Sequence, residues 1–421
     1  MSDVREVLDT LPEKSVQVFE YIYKRRTLSK VDLCGLLDKN MTFINRMVAP
    51  LEASGLIIPT GKGDSTGGRK PTLYEVNPKG LYVGAFNISS TYCEVALVNL
   101  KLEPLFMERF AMPAQDGPDQ VVPHLVSLLL MGMEKFRIAN GQICGIGVSV
   151  FGSFNAESGS INRPIALYAN EAWLGYPLAG RIEELTGLHV EMEKGTNAAA
   201  LLEYLYGKGR KEHRMLYVLC AMNIRTAFIL NGIIVNAAPN NEDAFGHMTI
   251  DMDGEACECG NYGCVAAYAT IPSIIRTFCI ELKKGRVSVV AKRPEDVTFE
   301  DICQAVEVKD QLAVEVITRS ATILGSALAN YINLVGPSVV IISGLIPQRC
   351  GLYYTVAVQT ARKKTERLLS NTTIRFENGG TFDHAITLGS ASVVVERMIE
   401  RRITPSRYTE SNEGDGGYRY P

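Results

Sequence analysis

A short segment with three cysteines restricts the fold more than any other part of this 421-residue chain. Cys257, Cys259 and Cys264 lie within eight residues, and Gly260 and Gly263 between them permit tight backbone turns that would point all three thiols at one centre. The neighbouring Gly, Asn and Glu residues are not typical of a hydrophobic core, so three separate core thiols are the weaker interpretation.

A fourth ligand for this centre is available ten residues upstream of the first cysteine, at His247. Three thiolates and one imidazole are the ligand set of a tetrahedral zinc site. Because four protein ligands leave no open position, we expect a structural Zn²⁺ ion held by His247, Cys257, Cys259 and Cys264. The other seven cysteines are single residues, and ten cysteines in a chain of this length do not indicate a disulfide framework.

Residues 1–78 have the pattern of a small helical domain that ends in two strands. Three short runs with helical periodicity predict three helices, and Ser29 and Asn40 each precede a run where an N-cap belongs. Three helices of this kind are typical of a helix-turn-helix. Their apolar positions are Val16, Phe19 and Ile22, then Val31, Leu36 and Leu37, then Ile44, Met47, Val48 and Leu51.

Two strands and a basic loop follow the third helix and predict a wing. Residues 55–58 end that helix and begin a strand, residues 60–71 are rich in Gly and basic side chains, and residues 73–76 return as a second strand. Pro50 removes a backbone donor within the third helix, so we expect a kink there.

The winged segment carries the positive charge of the chain. Residues 1–80 contain 12 Lys and Arg against 10 Asp and Glu, a net charge of +2, whereas the rest, with 31 against 36, carries −5. A basic loop beside a reading helix favours duplex DNA as the partner, while a small helical protein-interaction domain is the alternative. The expected DNA contacts are Thr42, Phe43, Asn45 and Arg46 of the third helix and Arg69 and Lys70 of the loop.

From residue 79 the pattern becomes α/β. Strands are predicted at 81–87, 94–100, 105–110 and 143–150, with a helix at 118–140, and a similar strand-rich start recurs at 215–221 and 226–230 before long helices and a strand at 338–343. Two related lobes are therefore expected. Their predicted bounds are 79–195, completed by a C-terminal helix at 386–403, and 196–385, with a disordered tail at 404–421.

No export or membrane segment is evident, so we expect a cytoplasmic protein. The first fourteen residues lack the apolar stretch of a signal peptide. The longest apolar run, residues 331–346, is interrupted by Gly336, Pro337 and Gly344 and is predicted to be a helix end, a turn and a buried strand.

The cysteine segment and the winged region together resemble the ROK family of bacterial sugar kinases and sugar-responsive repressors. The similar segments are His247-Met248-Thr249 with the three-cysteine motif, and the Gly-Gly-Arg-Lys-Pro hinge at 67–71, which is typical of the regulator branch. The resemblance implies a winged helix-turn-helix followed by a two-lobed actin/hexokinase-like (ribonuclease-H-like) body, zinc near a sugar pocket, homodimers or tetramers, and a palindromic DNA operator.

The chain departs from the kinases of that family at each catalytic motif. The first phosphate loop, Asp-x-Gly-Gly-Thr, aligns with residues 87–91, where Asn87 replaces the acid and serines replace both glycines. The second, Gly-Thr-Gly-x-Gly, aligns with residues 221–225 and retains no glycine, and a third, Gly-Gly-Gly, reads Ser343-Gly344-Leu345. The catalytic Asp aligns with Gly195, which cannot act as a base. We therefore expect no kinase activity.

The sugar-binding residues of the family are also altered. Ala244 and Ala266 replace two glutamates, and Lys194 replaces an asparagine. The remaining ligand-pocket candidates are Lys194, Asn197 and His247. Lys194 favours an anionic effector such as a sugar phosphate or sugar acid, and a solvated lysine beside an empty cleft is the alternative.

The sequence therefore predicts a non-catalytic DNA-binding regulator, more readily a repressor than an activator, that acts as a homodimer or tetramer. A small-molecule effector or a protein partner would control it. Two alternatives remain: a protein-interaction scaffold, and a sugar kinase fused to a DNA-binding domain.

Overall fold

A computed structural model describes residues 10–63, 70–112, 115–150, 152–163, 170–235, 244–366 and 373–403. The chain separates into two compact units, one comprising Met1–Ala198 with Ile386–Pro421 and the other comprising Ala199–Ala385. The boundaries predicted from the sequence, including a separate domain at 1–78, stay predictions.

Three helices and the two strands of the wing form the N-terminal segment, as predicted, and a short strand between the first two helices, which was not predicted, makes the sheet three-stranded. Ser29 caps the second helix through a capping box with Asp32, and the Asn40 side chain accepts a hydrogen bond from the Phe43 amide at the start of the third. The elements are α1 (Glu13–Arg25), β1 (Thr27–Ser29), α2 (Lys30–Leu37), α3 (Met41–Ala53), β2 (Ile57–Lys62) and β3 (Thr72–Val76).

The buried faces of α1 and α3 are those that the periodicity predicts, but the buried face of α2 differs. Leu33 is its fully buried residue, whereas Val31 is 58% exposed and Leu36 is 36% exposed. Residues two apart on a helix lie about 200° apart around its axis, so burying Leu33 turns Val31 outward. The assignment of Val31 and Leu36 to the core face was therefore wrong.

Helix α3 continues through Pro50 to Ala53, so the proline lies in the last turn and does not end the helix. The three strands pair antiparallel in the order β1-β3-β2. Lys62 pairs with Thr72, and the Gly63 amide donates to the Pro71 carbonyl at 2.9 Å. These pairs form the base of the predicted wing, whose residues 64–69 lie outside the described part of the chain.

The rest of the first unit is built on a five-stranded sheet. Its strand order is β10-β7-β4-β5-β6, in which the β4–β5 and β5–β6 pairs are antiparallel and the β4–β7 and β7–β10 pairs are parallel. The elements are β4 (Tyr82–Ile88), β5 (Tyr92–Asn99), β6 (Pro104–Ala111), α4 (Pro118–Phe136), β7 (Ile143–Val150), β8 (Ser153–Phe154), β9 (Ile161–Arg163), α5 (Leu178–Thr186) and β10 (Val190–Lys194), followed by α6 (Gly195–Tyr206), which continues into the second unit.

The second unit repeats this topology, as the recurring sequence pattern predicted. Its strand order is β13-β12-β11-β14-β15, with β11–β12 and β12–β13 antiparallel and β11–β14 and β14–β15 parallel. The elements are β11 (Arg214–Cys220), β12 (Ile224–Leu230), β13 (Ile233–Val235), α7 (Ala266–Ala269), α8 (Ile271–Lys283), α9 (Phe299–Glu307), α10 (Gln311–Val335), β14 (Val339–Ser343), α11 (Leu345–Arg349), α12 (Gly351–Thr365) and β15 (Arg375–Asn378).

The C-terminal helix, α13 (Ala385–Ile403), packs onto the sheet of the first unit. The Ser390 and Ser149 hydroxyls are 2.6 Å apart, and a Cβ on Gly147 would lie 2.0 Å from the Ser390 carbonyl oxygen. Only a glycine at position 147 lets the helix backbone approach β7 this closely.

The long apolar run near residue 340 is a helix end, a turn and a strand, as predicted. Helix α10 ends at Gly336, which adopts a left-handed conformation, and β14 follows with every residue buried. Helix α10 is the one described helix that is long and apolar enough to cross a membrane, and 61% of its most apolar window is buried in the fold, as in a core helix.

Candidate functional site

The four residues predicted to bind zinc lie together in the second unit. The ligand atoms of His247, Cys257, Cys259 and Cys264 are all within 4.8 Å of one another. Cys257 Sγ is 3.6 Å from His247 Nδ1, and Cys259 Sγ is 3.8 Å from Cys264 Sγ. Two thiolates on one tetrahedral zinc, each at about 2.3 Å from the metal, are separated by about 3.8 Å. The cluster therefore fits that ion.

Two glycines shape the loop that carries the thiols, as the sequence suggested. Gly260 and Gly263 have φ values of 88° and 65°, and a Cβ on Gly263 would lie 1.5 Å from the Asp251 carbonyl oxygen. The Cys257 amide donates to the Asn261 carbonyl at 2.8 Å and closes the turn. Since side chains rarely tolerate these conformations, the glycines determine where the three thiols point.

The cysteines differ in their exposure to solvent. Cys264 is fully buried, and burial raises the pKa of its thiol to about 12, whereas Cys259 is exposed. A bound cation would stabilise the thiolate and so offset the free-energy cost of burying its charge. Zinc binding itself stays a prediction.

The predicted DNA-reading face of α3 is available to a partner. Thr42, Asn45 and Arg46 are exposed and lie one turn apart on one side of the helix, while Phe43 is half-buried. The Arg46 guanidinium lies 5.6 Å from the centre of the Phe43 ring. Within the described residues Arg46 forms no ion pair, so its charge is available to bases or phosphates.

The predicted wing contacts are described only in part. Lys70 is exposed beside β3, and Lys62 is exposed at the end of β2, so both lysines flank the loop. Arg69 lies outside the described residues. The strand pairing therefore places the positive charges of Lys62 and Lys70 at the base of the predicted wing, and their contact with phosphates stays a prediction.

Two of the three predicted pocket residues meet around one carboxylate that the sequence did not single out. Glu193 Oε1 accepts hydrogen bonds from the Lys194 amide at 2.9 Å and from Asn197 Nδ2 at 3.0 Å. His247, the third candidate, belongs to the metal cluster of the other unit.

Glu193 is in turn held by an arginine of the C-terminal helix. Arg397 Nη2 donates to Glu193 Oε2 at 2.7 Å, and Arg397 Nη1 donates to Glu191 Oε2 and to the Met192 carbonyl, each at 2.9 Å. Burial alone would raise the pKa of Glu191, but hydrogen bonds from His189 and the charges of Arg397 and Arg401 lower it to about 2. The end of β10 is therefore fixed by ion pairs to α13.

The segments aligned with kinase phosphate loops contain side chains where a phosphate would need open backbone. In the first loop, the Ser89 hydroxyl and amide both donate to the Tyr92 carbonyl, at 2.8 and 2.9 Å, and close the β4–β5 turn. In the second loop, Arg225 is 6% exposed and therefore fills the space beside its strand. Phosphate loops bind phosphate through unobstructed backbone amides. Here the Ser89 amide is already hydrogen-bonded to Tyr92, and the Arg225 side chain is buried at the second position.

The chain matches a known family over most of its length. A family model described as the ROK family matches residues 83–397. The chain is 26% identical over 385 residues to a putative xylose repressor from Caldicellulosiruptor sp. (strain Rt8B.4), which covers 91% of this chain and 95% of that protein.

Two solved structures resemble it to different extents. A ROK family transcriptional regulator, a homolog of the E. coli MLC protein, has a TM-score of 0.76 and 23% identity, and covers 94% of this chain and 98% of its own. A ROK hexokinase from Thermus thermophilus has a TM-score of 0.63 and 20% identity, and covers 75% of this chain and 100% of its own. These likenesses establish the two-lobed α/β body as the fold.

Proposed function

Because this chain belongs to the ROK family, we propose that it is a DNA-binding transcriptional repressor that has lost sugar-kinase activity. The observation that carries the proposal is the exposed face of α3, with Thr42, Asn45 and Arg46, on a winged fold. This fold is joined to a body in which Gly195 aligns with the catalytic base of the family's kinases. The repressor name of its full-length relative supports the same conclusion.

The absence of a base argues against phosphoryl transfer. A sugar hydroxyl needs a positioned carboxylate to accept its proton, and glycine supplies none. The closed turn at Ser89 and the buried Arg225 would obstruct nucleotide phosphates in addition. The alternative of an active kinase fused to a DNA-binding head is therefore the weakest.

The metal has a structural role in this proposal. His247, Cys257, Cys259 and Cys264 would occupy all four positions of a tetrahedral Zn²⁺ ion, so the ion would fix the loop and would not bind substrate. We also propose that the protein is cytoplasmic. We propose that it acts as a homodimer or tetramer, because one small DNA-binding head with a charge of +2 binds DNA weakly, whereas two linked heads bind more tightly through multivalency.

The proposed effector is anionic. Lys194 is the last residue of β10, and its amide and the Asn197 side chain both donate to the Glu193 carboxylate. Arg397 neutralises that carboxylate. A cation at this position would attract a sugar phosphate or sugar acid more than a neutral hexose.

The test is retention of genomic duplex fragments by the purified full chain at two salt concentrations, with and without a panel of sugars, sugar acids and sugar phosphates. We expect retention of a palindromic site, weakened by salt and released by an anionic sugar. Retention that no ligand changes would remove the effector from the proposal. Failure to retain any duplex, together with salt-insensitive capture of a protein, would favour the interaction scaffold.

A further inference from the structure

The C-terminal helix α13 holds the winged segment through a buried carboxylate. Glu396 is 6% exposed, and its Oε2 lies 2.9 Å from Lys24 Nζ of α1. Among the described residues, Glu396 Oε1 has no hydrogen-bond partner, so Lys24 is the group that compensates this charge. Removing one partner of such a pair leaves an uncompensated buried charge, which is strongly unfavourable.

Further contacts tie the same segment to the rest of the first unit. Arg402 Nη2, six residues beyond Glu396 on α13, donates to the Leu11 carbonyl at 2.9 Å. Arg26 Nη1 donates to the Lys101 carbonyl at 2.9 Å, and Lys101 Nζ lies 2.7 Å from Glu75 Oε1 of β3. The winged segment is therefore attached at both its first helix and its last strand.

The next residue on the same helix makes the contacts to the candidate pocket. Arg397 binds Glu191, Glu193 and the Met192 carbonyl at the end of β10. Glu193 positions the Lys194 amide and the Asn197 side chain. Two consecutive residues of α13 thus hold the DNA-reading segment and the edge of the candidate effector pocket.

We propose that α13 is the element through which occupancy of the pocket changes the position of the DNA-reading head, with Arg397 as the pocket-side contact and Glu396 as the head-side contact. This inference rests on the proposed function, since it describes how an effector at Lys194 and Asn197 would regulate DNA binding.

The geometry makes these two contacts mechanically dependent. Neighbouring residues of a helix move together because the backbone hydrogen bonds hold them, so a displacement of Arg397 by a shift at Glu193 also displaces Glu396. Separating Lys24 from Glu396, or Arg397 from Glu193, costs free energy because it leaves a buried carboxylate without its cation. Coupling through such discrete contacts is reciprocal: the head must affect the pocket as much as the pocket affects the head.

The charge balance at the head-side contact is consistent with this role. Burial raises the pKa of Glu396 to about 7; Lys24 opposes this shift, and Glu20 and Glu400 add to it. Burial alone would lower the pKa of Lys24, but the Glu396 and Glu20 carboxylates raise it above its usual value. Each of the two groups therefore depends on the other for its charged form, because burial disfavours both charges.

Hydrogen–deuterium exchange of the full-length protein tests the coupling without DNA or effector. The variants are Lys24→Gln on the head side and Arg397→Gln on the pocket side, each measured at α1 and at β10. β10 is an edge strand of its sheet, so its amides respond to local loosening. We expect Arg397→Gln to raise exchange in α1 and Lys24→Gln to raise exchange in β10, each by about fivefold or more.

Arg286→Gln is the control. It removes the partner of the Glu315 carboxylate in the second unit, at 2.8 Å, and should leave exchange in α1 and β10 unchanged. If each variant loosens only the elements that its own side chain contacts, or if Arg286→Gln loosens both elements equally, the proposal is wrong. Should Arg397→Gln not fold, Arg397→Lys keeps the charge without the two-pronged contact and is expected to give a smaller rise in α1 exchange, whereas no rise overturns the coupling.

The outcome is separable from that of the proposed function. A protein that binds no duplex but shows reciprocal loosening keeps the coupling and loses the regulator assignment. A protein that binds duplex but shows purely local loosening keeps the regulator assignment and loses α13 as its transmission element.

Discussion

Ile386 occupies the space next to Gly195, where the kinases that this chain resembles have their catalytic aspartate. A Cβ on Gly195 would lie 3.2 Å from Ile386 Cγ2, and that methyl group belongs to the first turns of α13. Gly195 is therefore packed against the helix that completes the unit, and a side chain at this position would meet Ile386.

Restoring the acid should not restore catalysis. We expect Gly195→Asp to show no ATP-dependent phosphorylation of a panel of hexoses above the unmodified protein, because Ile386 crowds the new carboxylate and the closed turn at Ser89 and the buried Arg225 obstruct phosphate. The measurement is product formation by ³¹P NMR at high enzyme concentration. Phosphorylation of any hexose by this variant would mean that the nucleotide site is intact.

Zinc removal should unfold a local region and not the whole second unit. We expect about one zinc ion per chain in the purified protein, and substantially less in Cys264→Ser, with a lower thermal midpoint. Inductively coupled plasma mass spectrometry and thermal unfolding measure both quantities. Cys220→Ala is the control, since this core thiol of the same unit is fully buried and outside the cluster. Equal metal content in Cys264→Ser and the unmodified protein would exclude this ligand set.

Glu191 should make stability depend on pH in the acid range. Its pKa is lowered from 4.5 to about 2 in the folded protein, so its contribution is present above 4.5 and is lost as the pH falls from 4.5 to 2. Glu191→Gln should therefore reduce the free energy of unfolding at pH 7 by about 3 kcal/mol, with the difference shrinking towards pH 2. Urea denaturation at several pH values measures this. A difference that stays constant with pH would show that Glu191 contributes through packing alone.

Elements with strong local signals were predictable from the sequence, whereas contacts between distant residues were not. The strand at 143–150 matches its prediction because it is a continuous apolar run, and the Ser29 and Asn40 caps match because N-capping is a local rule. The Arg397–Glu193 pair joins residues 204 positions apart, and no pattern in either segment announces it.

Part of the site was missed for a related reason. Glu193 lies within the motif aligned with the kinases, but its role depends on Arg397, and a single sequence does not show which distant cation reaches a carboxylate. The error at Val31 has a different cause. Helix α2 is only eight residues long and its apolar side chains point to several sides, so periodicity alone does not identify the buried residue.

The reading helix and the wing should affect DNA binding in different ways. Arg46→Ala should reduce discrimination between the preferred duplex and an unrelated one by about 1–3 kcal/mol, because a base contact is lost. Lys70→Ala should weaken binding to both duplexes equally and make it less dependent on salt. Fluorescence anisotropy with two duplexes at several salt concentrations distinguishes the two effects. Arg293→Ala is the control, since Arg293 is exposed in the second unit and pairs with Asp296. If Arg46→Ala and Lys70→Ala bind both duplexes as Arg293→Ala does, both assignments are wrong.

The sign of the charge at the pocket edge decides which effector class fits. Lys194→Ala should weaken the response to a sugar phosphate or sugar acid about 10- to 100-fold, the effect of losing one hydrogen bond to a charged group, and leave DNA affinity without effector unchanged. The measurement is the effector concentration that releases half of the bound duplex. Lys284→Ala is the matched control, because Lys284 is an exposed lysine at the C-terminal cap of α8 and pairs with a surface carboxylate, Glu281. An unchanged midpoint in Lys194→Ala would place the effector elsewhere, and a tighter response to a neutral hexose would reverse the charge argument.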